Sequence, residues 1–306
     1  MKTYIVTGAT GGLGRFIAKN LSKEPETKII LAVRDTDKGR HVADQLGKNT
    51  EVLELDLSSF EGINAFISSW KDDLTGLINN AGVQIVDKTR FIKNQRFEET
   101  FAVNHLAALK LTVGLLPFIN GGRILFIGSG THHPDYKVAT MFGFRGARFN
   151  SIKACAEGLA ESGPIRQIGL DRYATSKFLN TVTTVELARR IPVEKVSFFC
   201  LDPGLMPGTG LARTAPAHMQ FIWANILPAM AKLMPGTSTP KRSGKTAAWI
   251  MTSGQLSKSS GLIFSYHRKP SKVVWEKVFD PEIGKAVVDD SLQLLNGNSE
   301  NPPQVL

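Results

Sequence analysis

Thr3-Tyr4-Ile5-Val6-Thr7-Gly8-Ala9-Thr10-Gly11-Gly12-Leu13-Gly14 is an apolar run that stops at a glycine and turns into helix-patterned sequence continuing to about Leu21. The order is strand, glycine turn, helix. Glycines let the backbone come close to a pyrophosphate, and the helix that follows offers its free N–H groups and positive dipole end to the anion. Standing at the first strand-to-helix junction of the chain, the turn points to a dinucleotide-binding start.

Outward from this stretch the alternation continues. Strands are expected at 28–33, 51–55, 75–78, 123–127, 195–200 and 262–265. Helices are expected between them at about 59–70, 94–116, 173–190 and 244–252, and a closing one at 281–295. Strand and helix repeated at this spacing imply an α/β fold, a doubly wound parallel sheet of about seven strands (a Rossmann fold) with helices on both faces. One domain spans 1–295, and 296–306 reads as a frayed polar tail. Ligands in such sheets bind beyond the carboxyl ends of the strands, where Gly8, Arg34, Asp56, Asn80 and Ser129 all fall. An acidic residue after strand two would bind ribose hydroxyls, whereas an arginine accommodates a 2′-phosphate. Arg34 holds that place, Arg15 is positioned to reach the same phosphate from the other side, and Asp35 is expected to cap the next helix.

Tyr173-Ala174-Thr175-Ser176-Lys177 places a phenol and an ammonium one helical turn apart, on one face. A cation held close is expected to bring the phenol's pKa toward the working range, so that Tyr173 can exchange a proton with a substrate oxygen. Two stretches break the rhythm. Residues 130–168 carry Tyr136, Phe142, Phe144 and Phe149 among basic residues and glycines, and read as an insertion over the site's mouth. Residues 211–234 carry Met219, Phe221, Ile222, Trp223, Ile226, Leu227, Met230, Leu233 and Met234 with few charges, and are expected to form a lid over a bulky apolar substrate, with a subunit interface or shallow membrane contact as alternatives. His132 and His133 are expected to be a solvated loop pair.

With 42% hydrophobic and 21% charged residues, the chain has the composition of an ordinary globular protein. Its net charge of +10 is scattered rather than run together, which suits an anionic cofactor and argues against a nucleic-acid partner. Cys155 and Cys200 are too few for a disulfide framework and are expected to be buried thiols in a reducing compartment. No zinc spacing or signal-peptide pattern is present, so a cytoplasmic location is expected, with membrane contact at most peripheral and either a monomer or a homodimer.

Taken together, Thr7-Gly8, Gly12-x-Gly14, Asn79-Asn80-Ala81-Gly82, Asn104, Ser129, Tyr173-x-x-x-Lys177 and Pro203-Gly204 resemble the short-chain dehydrogenase/reductase family over residues 3–295. Arg34-Asp35, 103–106 and 241–245 resemble the branch of retinol dehydrogenases and light-dependent protochlorophyllide reductases. The resemblance implies a cofactor set of Thr7, Gly8, Gly11, Gly12, Leu13, Gly14, Arg15, Arg34, Asp56, Leu57, Asn80, Ala81, Gly82, Asn104, Tyr173, Lys177, Pro203 and Gly204 for NADP(H). It implies Tyr173 as acid/base, Lys177 lowering the tyrosine pKa, Ser129 on the substrate oxygen and Asn104 anchoring a water that connects Lys177 to solvent. The protochlorophyllide enzymes place a cysteine two residues after the lysine; here Leu179 stands there, which favours a dark carbonyl/alcohol reaction over light-driven reduction of a carbon–carbon double bond. A cofactor-holding sensor without turnover is a third reading, which the intact Ser129, Tyr173 and Lys177 argue against.

Overall fold

The computed structural model describes residues 1–93, 96–158, 163–209, 217–230 and 234–297. Its sheet has the order β3-β2-β1-β4-β5-β6-β7-β8, built from β1 (Lys2–Thr7), β2 (Thr27–Val33), β3 (Thr50–Glu54), β4 (Leu74–Asn79), β5 (Ile119–Ile127), β6 (Val196–Asp202), β7 (Leu262–Ser265) and β8 (Lys269–Pro270). The first seven strands pair in parallel, and β8 adds an antiparallel edge. About seven strands were expected; the eighth is two residues long, too short to show alternation, and carries a proline that an edge position tolerates.

Parallel strands covered on both faces read as continuous apolar runs, because successive side chains enter different cores. Tyr4, Val6, Ile29, Leu31, Leu125 and Phe199 enter one core, against α1 (Gly12–Leu21) and the Pro240–Thr252 helix. Ile5, Ile30, Leu77, Ile124, Phe126 and Phe198 enter the other, where α3 (Phe60–Ser69), α4 (99–115) and α5 (Ile165–Arg190) pack. The short α2 (Thr36–Asp44) follows β2 and is capped by Asp35, as expected: its carboxylate accepts the Lys38 N–H at 3.0 Å.

Helix α4 runs over 99–115, α-helical at Glu99–Phe101 and Ala107–Leu115 with a π-wound turn at Ala102–Leu106 between them. It starts at Glu99 because Glu98 caps it, accepting the Phe101 N–H at 2.8 Å; of the expected start, residues 94 and 95 lie outside the described residues. By length and composition Glu99–Phe118 could cross a membrane, yet 78% of its most apolar 18-residue window is buried inside the fold. Helix α5 is covered all round, every residue from Gly169 to Leu187 being buried. The closing helix, Pro281–Asn296, reaches one residue into the expected tail, of which residues 298–306 lie outside the described residues.

A buried imidazole ties the fold to pH. His105, on the π-turn of α4, pairs its Nε2 with Ser291 Oγ at 2.9 Å, and burial pushes its pKa down to about 3. The unfolded chain takes a proton near the ordinary 6.5 that the folded chain refuses, so this contribution to stability is full above that pH and is lost as pH falls toward about 3. In thermal unfolding, the gap in midpoint between the wild type and His105→Asn should therefore narrow as pH is lowered from 7 to 4. A gap constant with pH would show that His105 does not enter the fold neutral.

Candidate active site

The ends of β1 and β4 lie where the strand order reverses, the crevice in which open α/β sheets take ligands. Thr7 and Asn80 join them. Thr7 donates its hydroxyl to Ile78 O at 3.2 Å and accepts the N–H groups of Asn80 and Ala81, both at 3.0 Å. Asn80 Nδ2 donates back to Thr7 O at 2.8 Å and Gly8 O at 3.3 Å. This closeness requires glycine. Gly8 has φ of +65°, and a Cβ there would sit 2.9 Å from Ala81 Cα; a Cβ on Gly14 would sit 2.5 Å from Asn80 Nδ2. Gly11 and Gly12 differ, since a Cβ on either would meet no atom within 4 Å and both line the main cavity. Gly11 caps α1 without any side-chain hydrogen bond, so backbone N–H groups at the start of that helix face an open, glycine-surfaced cradle. The cradle fits a pyrophosphate.

The cavity has a volume of about 1050 Å³, near the top of the ordinary range for small-molecule sites, roughly 300–1,000 Å³. Leu13, Arg34, Asp56, Leu57, Asn80, Ala81 and Gly82 line it beyond the cradle, with Ser129, Tyr173, Lys177, Pro203 and Gly204 further along. At the far end stand Phe142, Phe144, Leu170, Met206, Ile222, Trp223 and Leu227. The sequence-derived set is thus brought to one space, apart from Thr7, Gly14 and Asn104, which support its walls, and Arg15.

Arg15 was expected to reach the 2′-phosphate. Its guanidinium instead donates to Gln45 Oε1, at the C-cap of α2, and it does not line the cavity. One residue past Gly14 on α1, its side chain lies on the exposed face, turned toward α2. Lys38, three residues after the Asp35 cap, does line the cavity beside Arg34, and its ammonium pairs with Asp35 at 2.8 Å. Arg34 is exposed and has no such partner among the described residues. Asp56 accepts the Ser58 N–H and hydroxyl at 2.9 and 2.8 Å.

Helix α5 supplies the reactive pair. Lys177 Nζ donates to Ile127 O at 2.9 Å, at the end of β5, and lies 5.6 Å from the Tyr173 ring centroid. Burial lowers the Lys177 pKa to about 8. For Tyr173, the expected lowering by Lys177 does not hold: burial, and then the Asp202 carboxylate, hold its pKa well above the usual 10. Burial of the phenol dominates, and burial disfavours its charged form. Ser129 accepts from Thr131 N–H at 3.3 Å and Thr131 Oγ–H at 3.1 Å, which leaves its own hydroxyl hydrogen to donate into the cavity.

Asn104 does not face the cavity either. Its Oδ1 accepts the Val83 N–H at 2.7 Å, and its Nδ2 donates to Val83 O and Ser176 Oγ, both at 2.9 Å. With both amide hydrogens used, its side chain is a strut between the wall after β4 and α5. The π-turn that carries it is a common device at functional sites. His132 is no solvated loop residue: it is 2% exposed, Nδ1 donates to Ser129 O at 2.5 Å, and Nε2 accepts the Trp275 N–H at 3.3 Å. Burial lowers its pKa to about 4, so it is neutral there.

Asp202 was not singled out from the sequence. It is buried at the end of β6, lines the cavity, and accepts the Gly204 N–H at 3.0 Å; burial raises its pKa. Cys155 and Cys200 are buried free thiols, as expected, with burial raising them to about 12 and about 11. Leu179 is fully buried and lines none of the main cavity. In the apolar stretches, Phe142, Phe144, Ile222, Trp223 and Leu227 line the cavity, whereas Phe149 packs on Phe178 at 5.9 Å and Phe221 points outward, 62% exposed. Residues 210–216 and 231–233, and the side chains of Met219 and Met230, lie outside the described residues.

The family model for short chain dehydrogenase matches residues 2–143. The chain belongs to the short-chain dehydrogenase/reductase family. It is similar to the chloroplastic protochlorophyllide reductase of Chlamydomonas reinhardtii, 27% identical over 95% of this chain and 74% of that protein. Among solved structures, a 3-ketoacyl-(acyl-carrier-protein) reductase of Brucella melitensis complexed with NADH has a TM-score of 0.60 and 20% identity, covering 86% of this chain and 96% of that one. Another, from Beutenbergia cavernae with NADP bound at low occupancy, has a TM-score of 0.60 and 22% identity over 87% of this chain and 94% of that one. These two likenesses concern the fold. The chain is an oxidoreductase of the family, with a nucleotide-binding Rossmann sheet.

Because the Asp202 carboxylate raises the Tyr173 pKa, Asp202→Asn should let the phenol ionise at lower pH. The tyrosinate absorbance of Asp202→Asn, less that of Asp202→Asn/Tyr173→Phe, should begin to rise at a lower pH than the corresponding wild-type difference. An unchanged onset would show that Asp202 does not act on Tyr173.

Proposed function

We propose that this oxidoreductase reduces the carbonyl of a bulky, largely apolar substrate with NADPH, Tyr173 delivering the proton. The observation that carries the reading is that Ser129, Tyr173 and Lys177 line one cavity between a glycine cradle at one end and an apolar, aromatic wall at the other. NADPH, held by the Gly8–Gly14 turn and with its 2′-phosphate at Arg34, would supply the hydride to the carbonyl carbon. Ser129 donates a hydrogen bond to the carbonyl oxygen, and Tyr173 transfers its proton to that oxygen as charge develops. A tyrosine that keeps its proton throughout the neutral range suits the role of acid in reduction. The phenolate left behind is stabilised by the Lys177 ammonium, one turn further along α5. Lys177 carries that charge below about pH 8 and loses it above.

Tyr173→Phe should reduce turnover of a responsive carbonyl compound by at least about a hundredfold while leaving NADPH affinity close to wild type, because the proton donor is lost and the ring is kept. Steady-state kinetics with a calorimetric NADPH titration check this, and near-normal turnover would remove Tyr173 from the chemistry. Arg34→Ala should weaken NADPH about tenfold or more and NADH little, since a charge-assisted contact contributes roughly 1.5–3 kcal/mol. Equal losses for the two cofactors would place the 2′-phosphate elsewhere.

A further inference from the structure

Helix α5 carries more than the reactive pair. Arg166, Leu170, Tyr173 and Lys177 stand at i, i+4, i+7 and i+11 along it, a spacing that keeps one face in register over three turns, and all four line the cavity. Arg166 lies at the apolar end: the guanidinium borders Gly143, where an added Cβ would be 3.4 Å from it, and Gly143 also borders Leu170. Its polar neighbours are already committed. Arg145 pairs with Asp171 at 2.7 Å, and Gln167 donates to Asp171 and to Gly143 O at 3.0 and 3.1 Å. Arg166 has no hydrogen bond or ion pair among the described residues, and among those lining the far end of the cavity, from Val138 to Phe144 and from Leu205 to Leu227, it is the one charged side chain. A cation with no partner among the described residues, at the end of an apolar channel, selects for an anion at the end of an apolar molecule.

We infer that α5 acts as a ruler for an amphiphilic substrate: a carbonyl compound whose apolar body passes Leu170 and whose carboxylate pairs with Arg166. The inference rests on the carbonyl-reductase reading and adds the substrate's second functional group. Seven residues of helix separate Arg166 from Tyr173, which sets the carboxylate and the reacting carbonyl roughly 10 Å apart along the channel. The guanidinium fork pairs with a planar carboxylate through two parallel hydrogen bonds, so Arg166 determines specificity without touching the reacting atoms.

The test uses aryl ketones joined to a carboxylate by polymethylene chains of increasing length, each beside its methyl ester. Reduction is followed by NADPH oxidation, and binding of the same pairs by calorimetry, with and without NADPH. In the wild type the acid should exceed its ester by about tenfold or more in kcat/KM at one favoured length, mostly through KM. Arg166→Gln should collapse that acid-over-ester ratio, and Arg166→Lys should restore part of it. Equal acid and ester at every length, or a ratio that survives in Arg166→Gln, overturns the inference. If no ketone is reduced but acids still bind in an Arg166-dependent way, the subsite stands and the reduction reading fails. Reduction of acids and esters alike, indifferent to Arg166, is the converse.

Discussion

The reciprocal hydrogen bonds between Thr7 and Asn80 are the constraint on which the site's geometry depends. They join the end of β1 to the end of β4 where the strand order reverses, so neither end can shift without the other. Because the two backbones meet this closely, residues 8 and 14 must lack a side chain. The glycine turn then faces the cavity with bare backbone. The same join sets where the chain runs on through Ala81 and Gly82. A Cβ on Gly82 would lie 3.1 Å from Asn104 Oδ1 and 3.7 Å from Lys177 Nζ, so the wall after β4 stands directly against the reactive helix. A threonine and an asparagine that do no chemistry thus locate the groups that do.

Burial has opposite effects on the two members of the reactive pair. It holds Tyr173 protonated and makes the Lys177 ammonium costly, and Lys177 keeps its charge at neutral pH with the Ile127 carbonyl as its hydrogen-bond partner. A dry site strengthens every charge interaction that develops within it, so a lysine held at that cost acts more strongly on a nearby anion than a solvated one would. The desolvation is possible because α5 is covered all round by sheet and helices. A helix with only one buried face would leave such a pair partly wet.

What could be read from the sequence follows the physics of each signal. Strand ends, the glycine turn, the Asp35 cap and the i, i+4 pair of Tyr173 and Lys177 are local patterns, and the structure contains each of them. Side-chain direction and partner choice are not local. Arg15 turned to Gln45, Asn104 was used up by Val83 and Ser176, and Phe221 and Trp223, two residues apart, took opposite sides of a short helical segment. His132 was misread because the Trp275 N–H that makes its burial favourable lies at the far end of the chain. Asp202 carried a cue, an acid ending an otherwise apolar strand, but its influence on Tyr173 depends on tertiary placement. The relation of Arg166 to Tyr173 was legible in spacing alone once a single helix was known to span both.

The two ends of the cavity are built from different materials. The glycine cradle and the Arg34 turn are anchored in strands that pair on both sides. The far wall rests on two pieces outside the sheet: a four-residue helix at Lys137–Thr140, and a helix over 217–230 that is π-wound at Ile222–Ile226. An edge-on contact between Phe142 and Trp223 at 6.3 Å links the two segments, and a 2.9 Å bond from Trp223 Nε1 to Thr209 O ties the second to the chain after β6. Phe221, Ile226 and Met141 are exposed around them, so part of the apolar surface at this end is already in water. The free energy of local opening follows the burial that opening removes, which makes this end the cheaper one to move. A rigid end and a yielding end follow from that division, which would suit the dinucleotide and the large apolar substrate of the proposed reaction, with α5 spanning both.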